Sequence, residues 1–353
     1  MQEFLKPLLE GRRLAQAEAR RAMDAIIGGS ATAAQIGAFL AALRVRGESE
    51  EELAGFAEAM RSRARAVTIS RRPLLDTCGT GGDGAGTFNI STAAALVAAG
   101  AGAAVAKHGN RCVSSRCGSA DVLEALGVRC DAPAAPAALA ALAERCVCEA
   151  GVCFLFAPSF HPAMKHAAPV RKELGVRTVF NLLGPLSNPA GATRHLLGVY
   201  DPSLVPVVAR ALGRLGVEEA MVVAGTDGLD ELSPFAPTRV AHLKGGRLEQ
   251  YEVLPEAAGI SRQAPGSCRG GDAAENARIL RGVLEGVPGP AREAVRLNAG
   301  AALMVAGLAR DLKEGALLAA EAIDSGKALG ALEKLKAITN SPSPLAGEGG
   351  GGG

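Results

Sequence analysis

The chain has very little net charge: 38 Lys and Arg against 36 Asp and Glu leave +2 over 353 residues. That balance removes the basic face that nucleic-acid or membrane-surface binding would need, so any anion site must be local. There is no paired Cys-x-x-Cys, and the eight cysteines are irregularly spaced, with Cys146, Cys148 and Cys153 in one apolar stretch. Zinc and a disulfide framework are therefore not expected, and the cysteines read as unbridged, buried or half-buried thiols of a cytoplasmic protein. A long apolar run is also missing. The longest, Ala93 to Ala106, is short and mostly Ala and Gly, and it will not span a bilayer. Glu3 and Glu10 interrupt the apolar N-terminal residues, so no signal peptide is read there. Glycine is abundant, at 45 residues, but lacks the three-residue period of collagen. With 48% hydrophobic and 21% charged residues, what remains is a globular chain of one large or two ordinary domains.

Helical spacing of apolar residues runs through Ala15–Ile27, Ala33–Arg44 and Glu50–Ala66. Ser30 or Thr32 would cap the second of these and Ser49 the third, with Glu50, Glu51 and Glu52 at the positive end of its dipole. From Arg71 the texture changes. Short apolar runs at Leu74–Leu75, Ala103–Ala106, Gly151–Phe156, Leu196–Val199 and Glu219–Ala224 alternate with Ala-rich helical patterns, which argues for βα units around a largely parallel sheet. Residues 157–192, rich in Pro, Asn and basic side chains, read as helix and loop. The Ser/Pro/Gly end, from about residue 339 to 353, reads as a disordered tail.

The most informative stretch runs from Asp76 to Thr92, with glycines at 79, 81, 82, 84 and 86 between a short apolar run and an Ala-rich helix. Glycines let backbone approach a ligand closely, and a helix start offers free N–H groups and partial positive charge to an anion. Asn89, Ser91 and Thr92 add polar side chains at that start. Gly79, Gly81 and Gly84 fit Gly-x-Gly-x-x-Gly, but a dinucleotide site wants an acidic residue about twenty positions on. From Gly84 to Ala120 there is none, and no Gly-Lys-Ser/Thr follows to make a Walker loop. A purely structural glycine turn stays open for this stretch alone. A second loop, Lys107-His108-Gly109-Asn110-Arg111 followed by Ser114, Ser115, Gly118 and Ser119, follows the next strand candidate. Two such loops in successive βα units would share one crevice at the strand ends, and together they suit a ligand with several phosphates.

These two loops resemble those of the anthranilate phosphoribosyltransferases. So, in the same order, do Phe160-His161-Pro162-Ala163-Met164-Lys165, Val170-Arg171-Lys172-Glu173-Leu174-Gly175, the run Asn181 to Pro189, and Asp230-Glu231-Leu232. The resemblance covers the chain from the N-terminal helices to about residue 338. It implies a small N-terminal helical domain (1–70, with helices from about 165–190 packing on it) and a large α/β domain (71–338). The second has a mainly parallel central sheet, the nucleoside phosphorylase-like phosphoribosyltransferase fold. It also implies a homodimer and a reaction. The amine of anthranilate attacks C1 of phosphoribosyl pyrophosphate, giving N-(5-phosphoribosyl)anthranilate and pyrophosphate in tryptophan biosynthesis, with magnesium as cofactor.

By the same resemblance, Gly79, Gly82, Asp83 and Thr87 would line the pyrophosphate and ribose, with Asn89, Ile90, Ser91 and Thr92 at the helix start. Lys107 and the loop His108, Gly109, Asn110, Arg111, Cys112, Val113, Ser114 and Ser115, with Ser119, would hold phosphate, and Lys107 would stabilise the charge of the leaving group. Ser91, Asp230 and Glu231 match magnesium ligands, and oxygen donors suit that hard ion. Gly79, His108, Asn110 and Arg171 would bind anthranilate, Arg171 gripping its carboxylate bidentately as a lysine could not. No general base is expected, because an aromatic amine is already neutral at physiological pH. Cys112 and Cys117 stand where the family has small residues, and a Cys112 beside phosphate-binding cations would have an acidified thiol. His161 and His166 read as helix caps, and His195 and His242 as structural. Two other readings compete. Pyrimidine nucleoside phosphorylases share the fold type and a related glycine loop but use inorganic phosphate and a nucleoside base, whereas the Asp230-Glu231 pair and the Asn89–Thr92 run favour a pyrophosphate–metal substrate. Nucleic-acid-binding relatives would need a basic surface.

Overall fold

The computed structural model describes residues 1–112, 116–131 and 135–341. Four helices come first: α1 (Gln2–Leu9), α2 (Gln16–Ile27), α3 (Ala33–Arg46) and α4 (Glu50–Ser62). Thr32, not Ser30, caps α3, its hydroxyl accepting from Gln35 N–H at 3.3 Å, while Ser30 Oγ turns back to the Ala25 carbonyl. Ser49 caps α4 in a reciprocal box with Glu52. Glu52 is buried and satisfied, accepting from Leu14 N–H at 2.8 Å and ion-paired to Arg46 at 2.5 Å, so one carboxylate ties α4 to α3 and to the link that enters α2. The expected α4 stops four residues early, and α1 lies outside the expected helices.

The α/β part runs β1 (Leu74–Thr77), α5 (Ile90–Gly100), β2 (Ala104–Gly109), α6 (Ser119–Ala125), α7 (Pro136–Ala150) and β3 (Val152–Phe156). The helical excursion α8 (Ala157–Phe160), α9 (Ala168–Leu174) and α10 (Val179–Leu186) follows, then β4 (Arg194–Gly198), α11 (Val205–Arg214) and β5 (Glu219–Gly225). It closes with β6 (Thr238–Lys244), β7 (Arg247–Val253), α12 (Ala273–Leu284), α13 (Pro290–Val305), α14 (Leu312–Asp324) and α15 (Lys327–Asn340). The sheet order is β3-β2-β1-β4-β5-β6-β7. The first five strands are parallel and the last two antiparallel, so the sheet is mainly parallel. The hairpin β6–β7, absent from the expected elements, turns on Gly245-Gly246, both at positive φ, in the two-residue geometry that suits strand twist.

Strand side chains alternate between two cores. Leu196, Met221, Val223 and Val240 join one face with α5 and α12–α15, and Leu197, Ala220, Val222 and Ala241 join the other with α11 and the N-terminal helices. The N-terminal helices therefore share a core with one sheet face. α9 packs on α3 and α10 on α4. Small residues allow the other layer to close: a Cβ on Gly315 would stand 2.3 Å from the Gly300 carbonyl, where α13 crosses α14. α15 continues through Asn340, past the expected start of the tail, and the residues after 341 lie outside those described.

Candidate active site

Chain order reverses between β1 and β4, since β2 lies to one side of β1 and β4 to the other. That switch point leaves a crevice at the strand C-termini, and a cleft of about 320 Å³ lies there. It is lined by the glycine loop after β1, the start of α5, the end of β2 and its following loop, Arg171, Phe180 and Gly184 of the helical excursion, and Asp230 with Glu231 after β5.

Asp230 is pressed into the glycine loop. Gly81 N–H donates to its carboxylate at 2.7 Å, its own N–H reaches Asp83 at 3.4 Å, and a Cβ on Gly79 would stand 2.9 Å from its carboxylate. Glu231 accepts from Ser91 N–H, the first turn of α5, at 3.1 Å. Burial, then the neighbouring carboxylates, pushes the Asp230 carboxyl far up, while burial raises that of Glu231 to about 7 despite nearby Lys107. Three acids, Asp83, Asp230 and Glu231, thus crowd one wall. Lys107 is buried at the cleft floor, donating to the Thr77 carbonyl and, at 3.3 Å, to Ser91 Oγ. Beneath it Asp76, raised to about 6 by burial, accepts from His108 N–H at 3.2 Å and from Asn188 at 2.7 Å.

The second loop is less open than its composition suggests. Arg111 is bidentate to Glu124 at 2.5 and 2.6 Å and lies 5.5 Å over the Phe156 ring, so α6 holds its charge. The N–H groups of Cys112 and Gly118 both donate to Asp121 Oδ2, at 3.0 and 2.8 Å, pinching the loop at its base. Ser119 Oγ donates to the Asn110 carbonyl at 3.2 Å, and Gly109 fits tightly beneath Ser119 and Phe154. Val113, Ser114 and Ser115 lie outside the described residues. Cys112 is exposed at the rim and Cys148 is exposed elsewhere, which corrects the expectation that all the thiols are at least half-buried. Burial raises the Cys117 thiol to about 11.

At the start of α5, Asn89 does not cap the helix. Its side chain donates to the Cys117 carbonyl at 3.2 Å and accepts from Asn276 at 3.0 Å. Ile90 is buried, Thr92 Oγ1 is buried without a partner, and Thr87 bridges to Arg269. Gly82 and Asp83 line the open side of the loop.

The opposite wall comes from the helical excursion, and beside it a second cavity of about 420 Å³ opens between His108, His161, Met164 and Arg171. Arg171 lies 5.0 Å over the Phe180 ring, and among the described residues no carboxylate pairs with it. His108 Nδ1 is 3.0 Å from the Gly184 carbonyl, so it carries the proton, and Nε2 remains a buried acceptor without a partner. The His161 ring stands 5.1 Å from that of His108, and its Nε2 is likewise buried without a partner. Burial pushes these imidazoles down to about 3 and 4. His161 therefore lines the second cavity and its side chain caps no helix, which corrects its reading as a cap. Phe180, Gly184 and Asn188 are site residues that the sequence reading did not single out, although the Asn181–Pro189 run was itself a signal. His195 Nε2 donates to the Ala192 carbonyl at 2.9 Å and His242 meets Glu219 at 3.1 Å, both away from the cleft.

Residues 2–64 match the helical bundle domain of a glycosyl transferase family and residues 71–329 its a/b domain. The anthranilate phosphoribosyltransferase of Symbiobacterium thermophilum is 52% identical over 96% of this chain and 98% of its own length. The crystal structure of that enzyme from Thermus thermophilus superposes with a TM-score of 0.87, at 47% identity, over 96% of this chain and 99% of the other. The Saccharomyces cerevisiae enzyme, solved in complex with PRPP and Mg, gives 0.84 at 31% identity over 96% and 98%. With both domains matched in order and relatives aligned over nearly their whole length, the chain belongs to the anthranilate phosphoribosyltransferase family.

Proposed function

We propose that this cleft transfers the phosphoribosyl group of phosphoribosyl pyrophosphate to the amine of anthranilate, releasing pyrophosphate and N-(5-phosphoribosyl)anthranilate for tryptophan biosynthesis. One observation carries the assignment. A glycine loop and helix start built for phosphate face, across one cleft, an arginine over an aromatic ring with no carboxylate of its own.

Gly79, Gly82, Asp83, Thr87, Ile90 and Thr92 line the ribose and pyrophosphate side, and Asn89 braces the second loop against α5. Lys107, with the loop Gly109–Ser115 and Ser119, offsets the charge that develops on the leaving pyrophosphate. Arg171 takes the carboxylate of anthranilate. Gly79 and Asn110 flank the ring, and His108 Nε2 accepts from the amine. An imidazole held near 3 is too weak a base to keep a proton, so the chain orients a neutral amine and stabilises charge.

Ser91, Asp230 and Glu231 fit magnesium. Their donors are oxygens, and the carboxyls are crowded enough to be relieved by a cation. Among the described residues no three His, Cys, Asp or Glu side chains converge into a metal cage, so the substrate's phosphate oxygens would complete the shell. Bound there with pyrophosphate, magnesium would neutralise charge on the leaving oxygens.

The working division is a helical part (1–70 with 165–190) and an α/β part (71–338). The working assembly is a homodimer, as the family resemblance implies. A cytoplasmic setting is supported by eight cysteines without a disulfide, and no helix among the described residues is long and apolar enough to cross a membrane. The assay is loss of anthranilate fluorescence with phosphoribosyl pyrophosphate and magnesium, with and without EDTA. Metal-dependent loss supports the reading, and a folded protein that leaves the fluorescence unchanged refutes it.

A further inference from the structure

The glycine loop cannot hold its own shape. Gly81, Gly82, Gly84 and Gly86 all sit at positive φ, and nothing lies within 4 Å of a Cβ built on Gly81, Gly84 or Gly86. Such a segment loses much conformational entropy on ordering and needs outside anchors. At residues 80–82 three come from the α/β side. Thr80 N–H donates to the Gly198 carbonyl at 2.9 Å, Tyr200 N–H donates to Thr80 Oγ1 at 3.1 Å, and Gly81 N–H reaches Asp230. The fourth comes from elsewhere. Arg177, in the short link between α9 and α10, donates to the Gly82 carbonyl, and its guanidinium lies 4.4 Å from the centroid of the Tyr200 ring.

We propose that Arg177 and Tyr200 are positioning residues that clamp the glycine loop and couple its shape to the helix carrying Arg171, so that the two substrates bind cooperatively. The inference rests on the reading of the cleft given above. In a trans peptide the N–H of Asp83 points opposite to the Gly82 carbonyl, so pinning that carbonyl fixes the direction of a donor in the loop. Tyr200 holds both ends of the arrangement, its backbone on Thr80 and its ring under Arg177. The Arg177 link begins at Gly175, whose N–H donates to the Arg171 carbonyl at 3.2 Å. A carboxylate seated on Arg171 therefore steadies the segment that steadies the loop, and reciprocity requires the phosphate substrate to favour anthranilate equally.

The experiment compares the full-length wild type with Arg177→Met, Arg177→Lys and Tyr200→Leu by steady-state kinetics and by hydrogen exchange of loop peptides. Arg177→Met should raise KM for phosphoribosyl pyrophosphate by roughly 10- to 100-fold, with a smaller change in kcat. It should also speed exchange at 79–87 in the ligand-free protein. Arg177→Lys should recover part of both, since the ammonium still donates but stacks less well, and Tyr200→Leu should act in the same direction, more weakly. Anthranilate should slow loop exchange in the wild type and not in Arg177→Met. Wild-type KM and loop exchange in Arg177→Met overturn the clamp, as does faster exchange spread evenly over the whole chain. Inactivity of the wild type with the exchange differences intact counts against the assigned reaction, not against the clamp.

Discussion

Replacing Gly198 by alanine tests whether the acidic wall is as tightly keyed as the geometry implies. Gly198 ends β4, and a Cβ there would stand 1.5 Å from the Asp230 carbonyl oxygen and 3.3 Å from Glu231 N. Carbon and oxygen settle near 3.5 Å, so the backbone at 230 must retreat by roughly 2 Å. That retreat breaks the contacts of Asp230 with Gly81 (2.7 Å) and of Glu231 with Ser91 (3.1 Å). Misplacement of a reacting geometry by about 1 Å costs on the order of 100-fold. Gly198→Ala should therefore lose at least about 100-fold in kcat/KM, about 2.7 kcal/mol of transition-state stabilisation, and need more magnesium. Gly79→Ala is the control. Its Cβ meets the Asp230 carboxylate oxygen at 2.9 Å, a side-chain atom, and the Asp230 backbone oxygen only at an ordinary 3.5 Å, so a smaller loss, roughly tenfold, is expected. Fluorescence progress curves at several magnesium concentrations, with thermal melts to confirm folding, decide the matter. A Gly198→Ala enzyme within about threefold of wild type, or one less damaged than Gly79→Ala, refutes the reasoning.

Arg171→Lys should raise KM for anthranilate by roughly tenfold or more while leaving that for phosphoribosyl pyrophosphate nearly unchanged, because the bidentate fork is lost and the charge is kept. Equal changes in both would remove the carboxylate assignment. Asp121→Ala orphans the N–H groups of Cys112 and Gly118, so titration calorimetry should show phosphoribosyl pyrophosphate binding weakened about tenfold. Unaltered binding would mean that the loop needs no such pinch. Burial holds His195 down to about 4, below its unfolded value of about 6.5, so its contribution is full above 6.5 and is lost as pH falls toward 4. The stability gap between wild type and His195→Asn, read from urea melts, should then narrow by about 1.4 kcal/mol per pH unit below 6.5. A constant gap refutes the burial account.

Patterns that reflect burial on both faces of an element were legible in the sequence. Leu196–Val199 and Glu219–Ala224 stand out because parallel strands covered on both sides are continuously apolar, and Thr32 and Ser49 announce their helices by capping chemistry. α1 was missed because a Pro at position 7 and short length blur its period. The β6–β7 hairpin was missed because β7 is an exposed edge strand, where Arg247, Glu249, Gln250 and Glu252 carry little apolar alternation. Ser30 and Thr32 are both good caps by type. Only the tertiary path of the chain decides that Ser30 turns back on α2.

The site divides along a similar line. Residues whose role follows from type and local position, such as the loop glycines and Lys107, are visible because two successive strand–loop–helix units already imply a common crevice, whereas the acidic pair, far along the chain after β5, is assigned only through the family resemblance. Residues whose role depends on what stands opposite them are not visible in that way. Arg111 reads as an unpaired cation until Glu124, thirteen positions away, is seen to pair with it. Arg171 draws its carboxylate role from its place in the Val170–Gly175 motif, and the fold adds a neighbouring Phe180 ring with no carboxylate pairing with it among the described residues. His161 differs from a capping histidine only by the ring of His108 at 5.1 Å. Arg177 and Tyr200 carry no motif that sets them apart, and their meeting over the glycine loop is a fact of three dimensions. Local chemistry thus pointed to the phosphate loops, the family resemblance supplied Arg171 and the acidic pair, and the partners that come from distant segments needed the fold.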